Sequence, residues 1–272
     1  MTKVIAGTKA LKLLREKTLS AVPAEEIRSE EATVDLVFRM KRGLIDVKGI
    51  IQLMQEGADI NAVDEKGHNL LYINLYNYRN HEIIKFLIEN GVSVDIVTEY
   101  GTPLTEAIRG DTKLVRMLIE RGANVSLPDE YQQVPLMRAV SENSPKVEIV
   151  QLLIENGADV NAVDKNGKTP LMYAVVSPNS SFGYGSPKVE IVQLLIDKGA
   201  DVNAANENGK TSLMYAAERD YNNPSISRPE VIRMLIENGA DINAKDKSGK
   251  RALDYANDNE TLKKTDAYKL LR

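Results

Sequence analysis

The sequence predicts an all-helical protein built from stacked copies of one short helical unit. A phrase of the type Gly-Ala-Asp-Val-Asn recurs six times, beginning at Gly57, Gly91, Gly122, Gly157, Gly199 and Gly239. A second phrase, of the type Thr-Pro-Leu, follows each copy, and an apolar pattern of helical period, as in residues 147–154, precedes each glycine. Three phrases that recur together in one order are the signature of a repeat protein.

Each phrase corresponds to one element of the unit. A glycine after Ile-Glu-Asn, such as Gly157, is typical of a helix that ends in a left-handed residue. The tetrad from Asp164 to Gly167 is typical of a tight turn. Thr169 and Pro170 then predict a helix start, because a hydroxyl can cap the helix and proline suits its first turn. The unit is therefore a turn, a short inner helix, a loop and a longer outer helix.

With these phrases in register, residues 33–272 resemble ankyrin repeats, and the match is clearest from Asp164 to Asn203. The pattern departs from the family where methionine replaces the usual histidine after Pro-Leu, at Met137, Met172 and Met214. It also departs where one residue is missing between Gly101 and Thr102. The resemblance implies an ankyrin-repeat solenoid of about seven helix-turn-helix units with turn or hairpin fingers, including degenerate caps at both ends.

The first cap is expected to contain a helix pair over residues 34–41 and 47–55, and a helical extension over residues 1–32 precedes it. Leucines give that extension one partly apolar helix, and Pro23 begins a second one with acidic residues in its first turn. We expect the extension to cap the first repeat. The alternatives are a partner-binding arm and, because residues 1–24 are basic and poor in acids, an organelle transit peptide.

The composition argues against catalysis. The chain has 272 residues, a formal net charge of −4, no cysteine and two histidines, His68 and His81. Disulfides, thiol chemistry and histidine-rich metal sites are therefore not expected, and both histidines are expected on the surface. No phosphate-binding glycine loop or hydrolase motif occurs. We expect no enzyme activity, cofactor or metal, and near-neutral charge disfavours nucleic acid as a partner.

A binding surface is the remaining functional hypothesis. The resemblance implies a concave face formed by the turn tips and inner helices. The candidate partner-binding positions are those that the repeat pattern leaves free to vary: Tyr76, Glu99, Tyr100, Arg109, Glu130, Tyr131, Gln133, Lys165 and Lys168. Tyrosine is enriched in interfaces, although single exposed aromatics are also normal surface features.

Charge changes along the predicted turn tips, from acidic in the early repeats to basic in the late ones. Asp64, Glu65, Glu99, Asp129 and Glu130 come early, whereas Lys165, Lys168, Lys210, Lys245, Lys247, Lys250 and Arg251 come late. Such a gradient could orient a partner lying along the array. An ordinary solvated face is the alternative.

Two long insertions separate the inner and outer helices of adjacent late repeats. They cover residues 177–187 and 219–229 and contain Phe182, Tyr184 and Tyr221. Long loops in repeat arrays are often functional, so these three aromatics are candidate loop contacts. Neutral drift would explain the insertions equally well.

The sequence thus predicts a non-catalytic protein–protein interaction module. The alternative is a secreted effector or stoichiometric inhibitor that blocks a target enzyme. No signal peptide or transmembrane segment is recognised, so we expect a monomer in the cytoplasm or one delivered into a host cell.

Overall fold

The computed structural model describes residues 24–142, 144–176, 189–218 and 228–272. Within these ranges the regular structure is helical, and backbone pairing of the β type is limited to isolated bridges such as Val63 with Asn69. None of the helices in these ranges is long and apolar enough to cross a bilayer. The chain divides into two compact units, Met1–Asn124 and Val125–Arg272.

The first unit contains three helix pairs in its described part. They are α1 (Ala24–Arg42) with α2 (Val47–Gln55), α3 (Leu70–Asn77) with α4 (His81–Glu89), and α5 (Pro103–Ile108) with α6 (Thr112–Glu120). The odd-numbered helices are the inner ones, and α3 packs against both α1 and α5. Inner helix α3 is buried over most of its length, from Leu70 to Leu75.

The second unit repeats this arrangement four times. Its inner helices are α7 (Pro135–Ser141), α9 (Pro170–Val175), α11 (Ser212–Ala217) and α13 (Ala252–Ala256). Its outer helices are α8 (Val147–Glu155), α10 (Val189–Asp197), α12 (Pro229–Glu237) and α14 (Asp266–Leu270), the last preceded by a short 3₁₀ helix, Leu262–Lys264. Inner helices pack side by side in sequence order, and small residues such as Ala174 and Ala216 are buried between neighbours.

The N-terminal cap differs from the expectation. The second helix of the extension and the first helix of the cap form one continuous helix, α1, with Glu25 and Glu26 in its first turn as predicted. The physical reason is that no glycine or proline interrupts the chain between Ala24 and Arg42. The predicted domain division between residues 32 and 33 falls inside this helix. The division itself stays a prediction.

The Thr-Pro-Leu phrase begins inner helices as predicted. The hydroxyl of Thr169 accepts a hydrogen bond from the backbone N–H of Met172, and the equivalent hydroxyl of Thr211 accepts from Met214. In the remaining full repeat of this unit Val134 occupies the cap position, and no side chain caps α7. That helix therefore begins without the bond that stabilises its neighbours.

The turns before the inner helices are held by their first residue. In the turn that begins at Asp164, the carboxylate accepts the backbone N–H groups of Asn166 and Lys168, and Gly167 has a φ of +73°. Gln132 takes the glycine position of the preceding turn with a φ of +58°. Such a φ is unfavourable for a residue with a Cβ.

Main-chain hydrogen bonds join the turn tips of successive repeats in the second unit. The N–H of Lys165 donates to the carbonyl of Tyr131 at 3.2 Å, and that of Glu207 donates to Asn166 at 2.9 Å. Lys247 repeats the bond one unit later, to Asn208 at 2.9 Å. The same backbone positions thus pair at each step, whatever their side chains.

The asparagine that ends the recurring glycine phrase also joins neighbouring repeats. The side chain of Asn161 donates to the carbonyl of Gly199 at 3.0 Å and accepts the N–H of Asp201 at 2.8 Å. Asn203 makes the same two bonds, to Gly239 and from Asp241. The phrase recurs because its asparagine satisfies backbone groups of the next repeat.

Candidate partner-binding surfaces

Four ring side chains meet on the inner-helix side of the first unit. We call His68, Tyr72, Tyr76 and Tyr100 the aromatic cluster. Tyr76 stacks on Tyr72 at 6.1 Å and on Tyr100 at 6.0 Å between ring centroids. His68 stacks on Tyr72 at 4.9 Å. These separations suit offset stacking.

The cluster has a buried base and an exposed edge. Tyr72 is 1% exposed, whereas Tyr76 is 51% and Tyr100 is 44% exposed. Burial raises the pKa of Tyr72 to about 12, so its phenol stays neutral at physiological pH. The base therefore fixes the position of two tyrosine rings that present their area to solvent.

Charged side chains surround the exposed edge. A hydrogen bond between Glu99 and Tyr100 raises the pKa of Tyr100 and lowers that of Glu99. Lys66 lies 3.4 Å from the Glu99 carboxylate and 5.9 Å from the centre of the Tyr100 ring. Arg109 turns toward the buried Glu106, with 3.3 Å between guanidinium and carboxylate. The aromatic edge is thus bordered by paired charges.

The prediction that His68 lies on the surface is wrong. Its side chain is only 12% exposed, its Nδ1 is 3.4 Å from the Asp64 carboxylate, and its Nε2 is buried without a hydrogen-bond partner. The ring is covered because Tyr72 stacks on it and Tyr100 lies 6.3 Å away. His81, by contrast, is 56% exposed, in agreement with the prediction.

A second surface follows the inner helices of the second unit. We call Lys168, Tyr173, Lys210, Tyr215, Lys250 and Tyr255 the lysine–tyrosine row. The Lys168 ammonium lies over two rings, 5.5 Å from the centre of Tyr173 and 5.1 Å from that of Tyr215. Lys210 repeats this between Tyr215, at 4.9 Å, and Tyr255, at 4.3 Å. Each of these lysines therefore bridges the tyrosines of two adjacent repeats.

Each tyrosine hydroxyl of the row is hydrogen-bonded to the first residue of the turn in its own repeat, and the Tyr173 hydroxyl is also bonded to the preceding repeat. Tyr173 donates to the Asp164 carboxylate at 2.7 Å and accepts from the Gln133 amide at 2.8 Å. Tyr255 donates in the same way to Asp246, whereas the Tyr215 hydroxyl accepts from the Asn206 amide at 2.9 Å. The hydrogen bonds fix the hydroxyl end of each ring, and the lysine ammonium groups lie over the ring faces.

These bonds shift the pKa values of both partners. Burial and the bond to Asp164 raise the pKa of Tyr173. Burial opposes ionisation of Asp246, but hydrogen bonds from Tyr255, Ser248 and backbone N–H groups outweigh it and lower the pKa to about 2. Burial raises the pKa of Tyr215 to about 12 with help from the negative charges of Glu218 and Asp164. The tyrosines stay neutral and the aspartates ionised near pH 7.

Four of the five acidic residues in the predicted charge gradient are buried or form an ion pair within the protein. Asp64 is 2% and Asp129 is 7% exposed, because each accepts backbone N–H groups of its own turn. Glu65 pairs with Lys41 at 2.5 Å, and Glu99 pairs with Lys66. The acidic surface of the early turns is therefore reduced to Glu65, Glu99 and Glu130, and sequence alone does not reveal that the other two acids are buried. The charge gradient along the turn tips stays a prediction.

No group of three or more His, Asp or Glu side chains in the described ranges could hold a metal ion.

A family model described as ankyrin repeats (3 copies) matches residues 45–129, 127–183 and 181–271. The chain belongs to the ankyrin repeat family. Its resemblance to that family, its all-helical class and its repeat pattern are thereby confirmed. Proteins of this family are generally protein–protein interaction modules.

Two relatives of this ankyrin repeat protein are similar over part of their length. The B-cell lymphoma 3 protein homolog of Mus musculus is 32% identical over 133 residues, which is 48% of this chain and 29% of the relative. The Putative ankyrin repeat protein R886 of Acanthamoeba polyphaga mimivirus is 43% identical over 53 residues, which is 19% of this chain and 38% of the relative. The chain spans well under half the length of either relative.

The structure brings some of the predicted site residues of the ankyrin repeat protein together. Tyr76 lies on α3 and stacks on Tyr100. In the second unit Lys165 lies 3.9 Å above the centre of the Tyr131 ring, which is 46% exposed. Glu99 is hydrogen-bonded to Tyr100, and Gln133 and Lys168 both contact Tyr173. Arg109 pairs with Glu106 instead, and Glu130 is exposed in its turn. Phe182, Tyr184 and Tyr221 lie outside the described residues.

Sequence reasoning did not place the tyrosines of the row in the site. Tyr173, Tyr215 and Tyr255 are not among the predicted site residues, yet all three are only half-buried. A usable signal exists, because each follows a lysine by the same five positions, as Tyr173 follows Lys168. Such a constant offset between a lysine and a tyrosine in three successive repeats indicates that the two side chains belong to one surface.

Proposed function

We propose that this ankyrin repeat protein is a non-catalytic module that binds a partner protein through its turn tips and inner-helix faces. The observation that carries the proposal is the exposed edge of the aromatic cluster. Tyr76 and Tyr100 stack on each other while about half of each side chain faces solvent. Tyrosine is enriched in interface hot spots because it combines a large rigid apolar area with a polar end.

The arrangement around the cluster favours binding. The ring positions are already fixed, by Tyr72 beneath Tyr76 and by Glu99 and Lys66 beside Tyr100. A partner would therefore bury apolar area without first ordering these side chains, which reduces the entropic cost of association. Tyr131 beneath Lys165 offers a comparable exposed ring in the second unit.

The same region gives no support to catalysis. The pair that most resembles an acid–base dyad is Asp64 with His68. Its outer nitrogen, Nε2, is buried, so it does not reach a substrate in solvent. The proposal takes residues 33–272 as the binding domain, residues 1–32 as a capping extension, and Phe182, Tyr184 and Tyr221 as a second contact.

The test is partner capture by the whole chain with and without the exposed rings. Lysate of the native cell is passed over immobilised protein, and bound proteins are identified by mass spectrometry. The double variant Tyr76→Ala with Tyr100→Ala should lose the captured partner. Ile51→Ala is the matched control, because Ile51 is an exposed apolar residue on outer helix α2.

Thermal unfolding of each variant separates binding from folding. We expect the double variant to remain folded, because both rings are only half covered. Undiminished capture by a folded double variant would show that the aromatic cluster is not the binding surface. Equal loss from Ile51→Ala would show that capture is not specific to it.

A further inference from the structure

Two of the three lysines of the lysine–tyrosine row, Lys168 and Lys250, form no ion pair with a described residue. In the first unit, the turn lysine Lys66 is paired with a glutamate of the next turn. In the row, no ion pair among the described residues includes Lys168 or Lys250, whose ammonium groups lie over tyrosine rings. A ring face attracts an ammonium group without cancelling its charge.

Lys210 is the exception within the row. Its ammonium lies 2.9 Å from the Glu218 carboxylate and its side chain is 16% exposed. At the centre of the row, an ammonium group that lies over two tyrosine rings thus already binds a carboxylate. The pair of Lys210 with Glu218 indicates that a carboxylate is a suitable ligand for the lysines of the row.

The row also has a regular spacing. Inner helices α9, α11 and α13 pack side by side, and packed helices lie about 8–10 Å apart. Lys168 lies within 5.5 Å of ring centres in two adjacent repeats, which agrees with this spacing. The row therefore offers one ammonium group per repeat at intervals of about 8–10 Å.

One extended peptide conformation has the same period. A polyproline II helix has three residues per turn and rises about 3.1 Å per residue, so every third side chain returns to the same face after about 9.3 Å. A β-strand places residues three apart on opposite faces. Proline-rich segments in this conformation also dock on aromatic-lined grooves.

We propose that the lysine–tyrosine row binds an acidic, proline-containing segment of a partner protein in the polyproline II conformation, with an acidic side chain at every third position. Each carboxylate would meet one ammonium group of the row, at Lys168, Lys210 or Lys250. The intervening prolines would lie along the tyrosine edges. The inference rests on the proposed function only in that the occupant is a protein.

A nucleic acid fits the row less well. Proteins that bind single strands stack bases on open aromatic faces. Here the faces of Tyr215 and Tyr255 are covered by lysine ammonium groups at 4.9 Å or less. The formal net charge of the chain is also −4.

The probe is a capped peptide in which Glu-Pro-Pro is repeated four times. Two peptides serve as controls: one has the same composition with its glutamates in one block, and the other has glutamine in place of glutamate. Binding to the whole chain is measured by calorimetry at low and high salt. We expect the regular peptide to bind more tightly than the block peptide, the glutamine peptide not to bind, and affinity to fall with salt.

Protein variants locate the binding. Lys168→Gln and Lys250→Gln should each weaken binding about threefold, in line with the strength of an exposed ion pair. Lys198→Gln is the matched control, because Lys198 is an exposed lysine of the same unit outside the row. Glu218→Gln should strengthen binding, since it removes the carboxylate that competes for Lys210.

Several results would overturn the inference. Equal affinity for the regular and block peptides would remove the spacing argument, and equal weakening by Lys198→Gln would indicate diffuse charge. Tighter binding of an oligothymidine through the same lysines would assign the row to nucleic acid. If the peptide fails while the Tyr76 and Tyr100 variants still lose a captured partner, the inference is wrong and the proposed function stands. If the Tyr76 and Tyr100 variants capture the partner as well as the wild type while the peptide binds, the aromatic cluster is not the binding surface and the inference about the row stands.

Discussion

The hydroxyl of Tyr173 links the lysine–tyrosine row to the fold, and its removal gives a quantitative test. Tyr173→Phe keeps the ring beneath Lys168 but deletes the bond to Asp164 at 2.7 Å and the bond from Gln133 at 2.8 Å. A hydrogen bond to a charged group contributes about 1.5–3 kcal/mol and a neutral one about 0.5–1.5 kcal/mol. Because Tyr173 is half-buried, we expect a loss near the lower limit, about 2 kcal/mol.

The loss should depend on pH in a defined direction. Hydrogen bonds from Tyr173 and from backbone groups hold the pKa of Asp164 below its ordinary value, despite its burial. The stability from a depressed aspartate pKa is present above the unfolded pKa, about 3.9, and is lost as the pH falls through the folded pKa. Tyr173→Phe moves that pKa back toward its ordinary value. The difference between wild type and variant should therefore shrink as the pH falls from 6 to 2.5.

Tyr215→Phe is the matched control. Its hydroxyl accepts from the neutral amide of Asn206 at 2.9 Å, so its removal should reduce stability by about 1 kcal/mol with no dependence on acid pH. Urea unfolding followed by circular dichroism at several pH values measures both variants. The reasoning is refuted if Tyr215→Phe shows the same pH dependence as Tyr173→Phe, or if the Tyr173 effect is constant with pH.

Three further predictions concern the turns of the second unit, all measured by thermal and urea unfolding. Val134→Thr should stabilise by about 1 kcal/mol, because it supplies the missing cap of α7; a Val134→Ala variant should not reproduce the gain. Gln132→Gly should stabilise by about 0.5–1 kcal/mol, because it relieves a left-handed backbone, and a loss of stability would contradict this. Gly167→Ala should destabilise more than Gly157→Ala, because a Cβ at Gly167 would lie 2.9 Å from the backbone nitrogen of Glu207, whereas one at Gly157 would meet nothing within 4 Å. Equal effects would remove the close approach as a cause.

The repeat unit was predictable from sequence because its elements depend on local chemistry. Thr169, Pro170 and Gly167 each constrain one backbone position, so the starts of helices and turns follow from residue types alone. The surfaces were less predictable, because they depend on contacts between repeats. The burial of His68 results from Tyr72 and Tyr100, and the position of Lys168 results from a tyrosine 47 positions later, Tyr215.

The main-chain bonds between turn tips have a consequence for how such a chain can change over time. The bond from Glu207 to Asn166 uses only atoms that every residue except proline possesses, and Lys247 repeats it with Asn208. The spacing between repeats is therefore independent of which side chains stand at the tips. Substitutions there can change the partner without altering the register of the array, and a duplicated repeat can join its neighbours through the same backbone bonds. Recognition and architecture are in this way free to evolve separately.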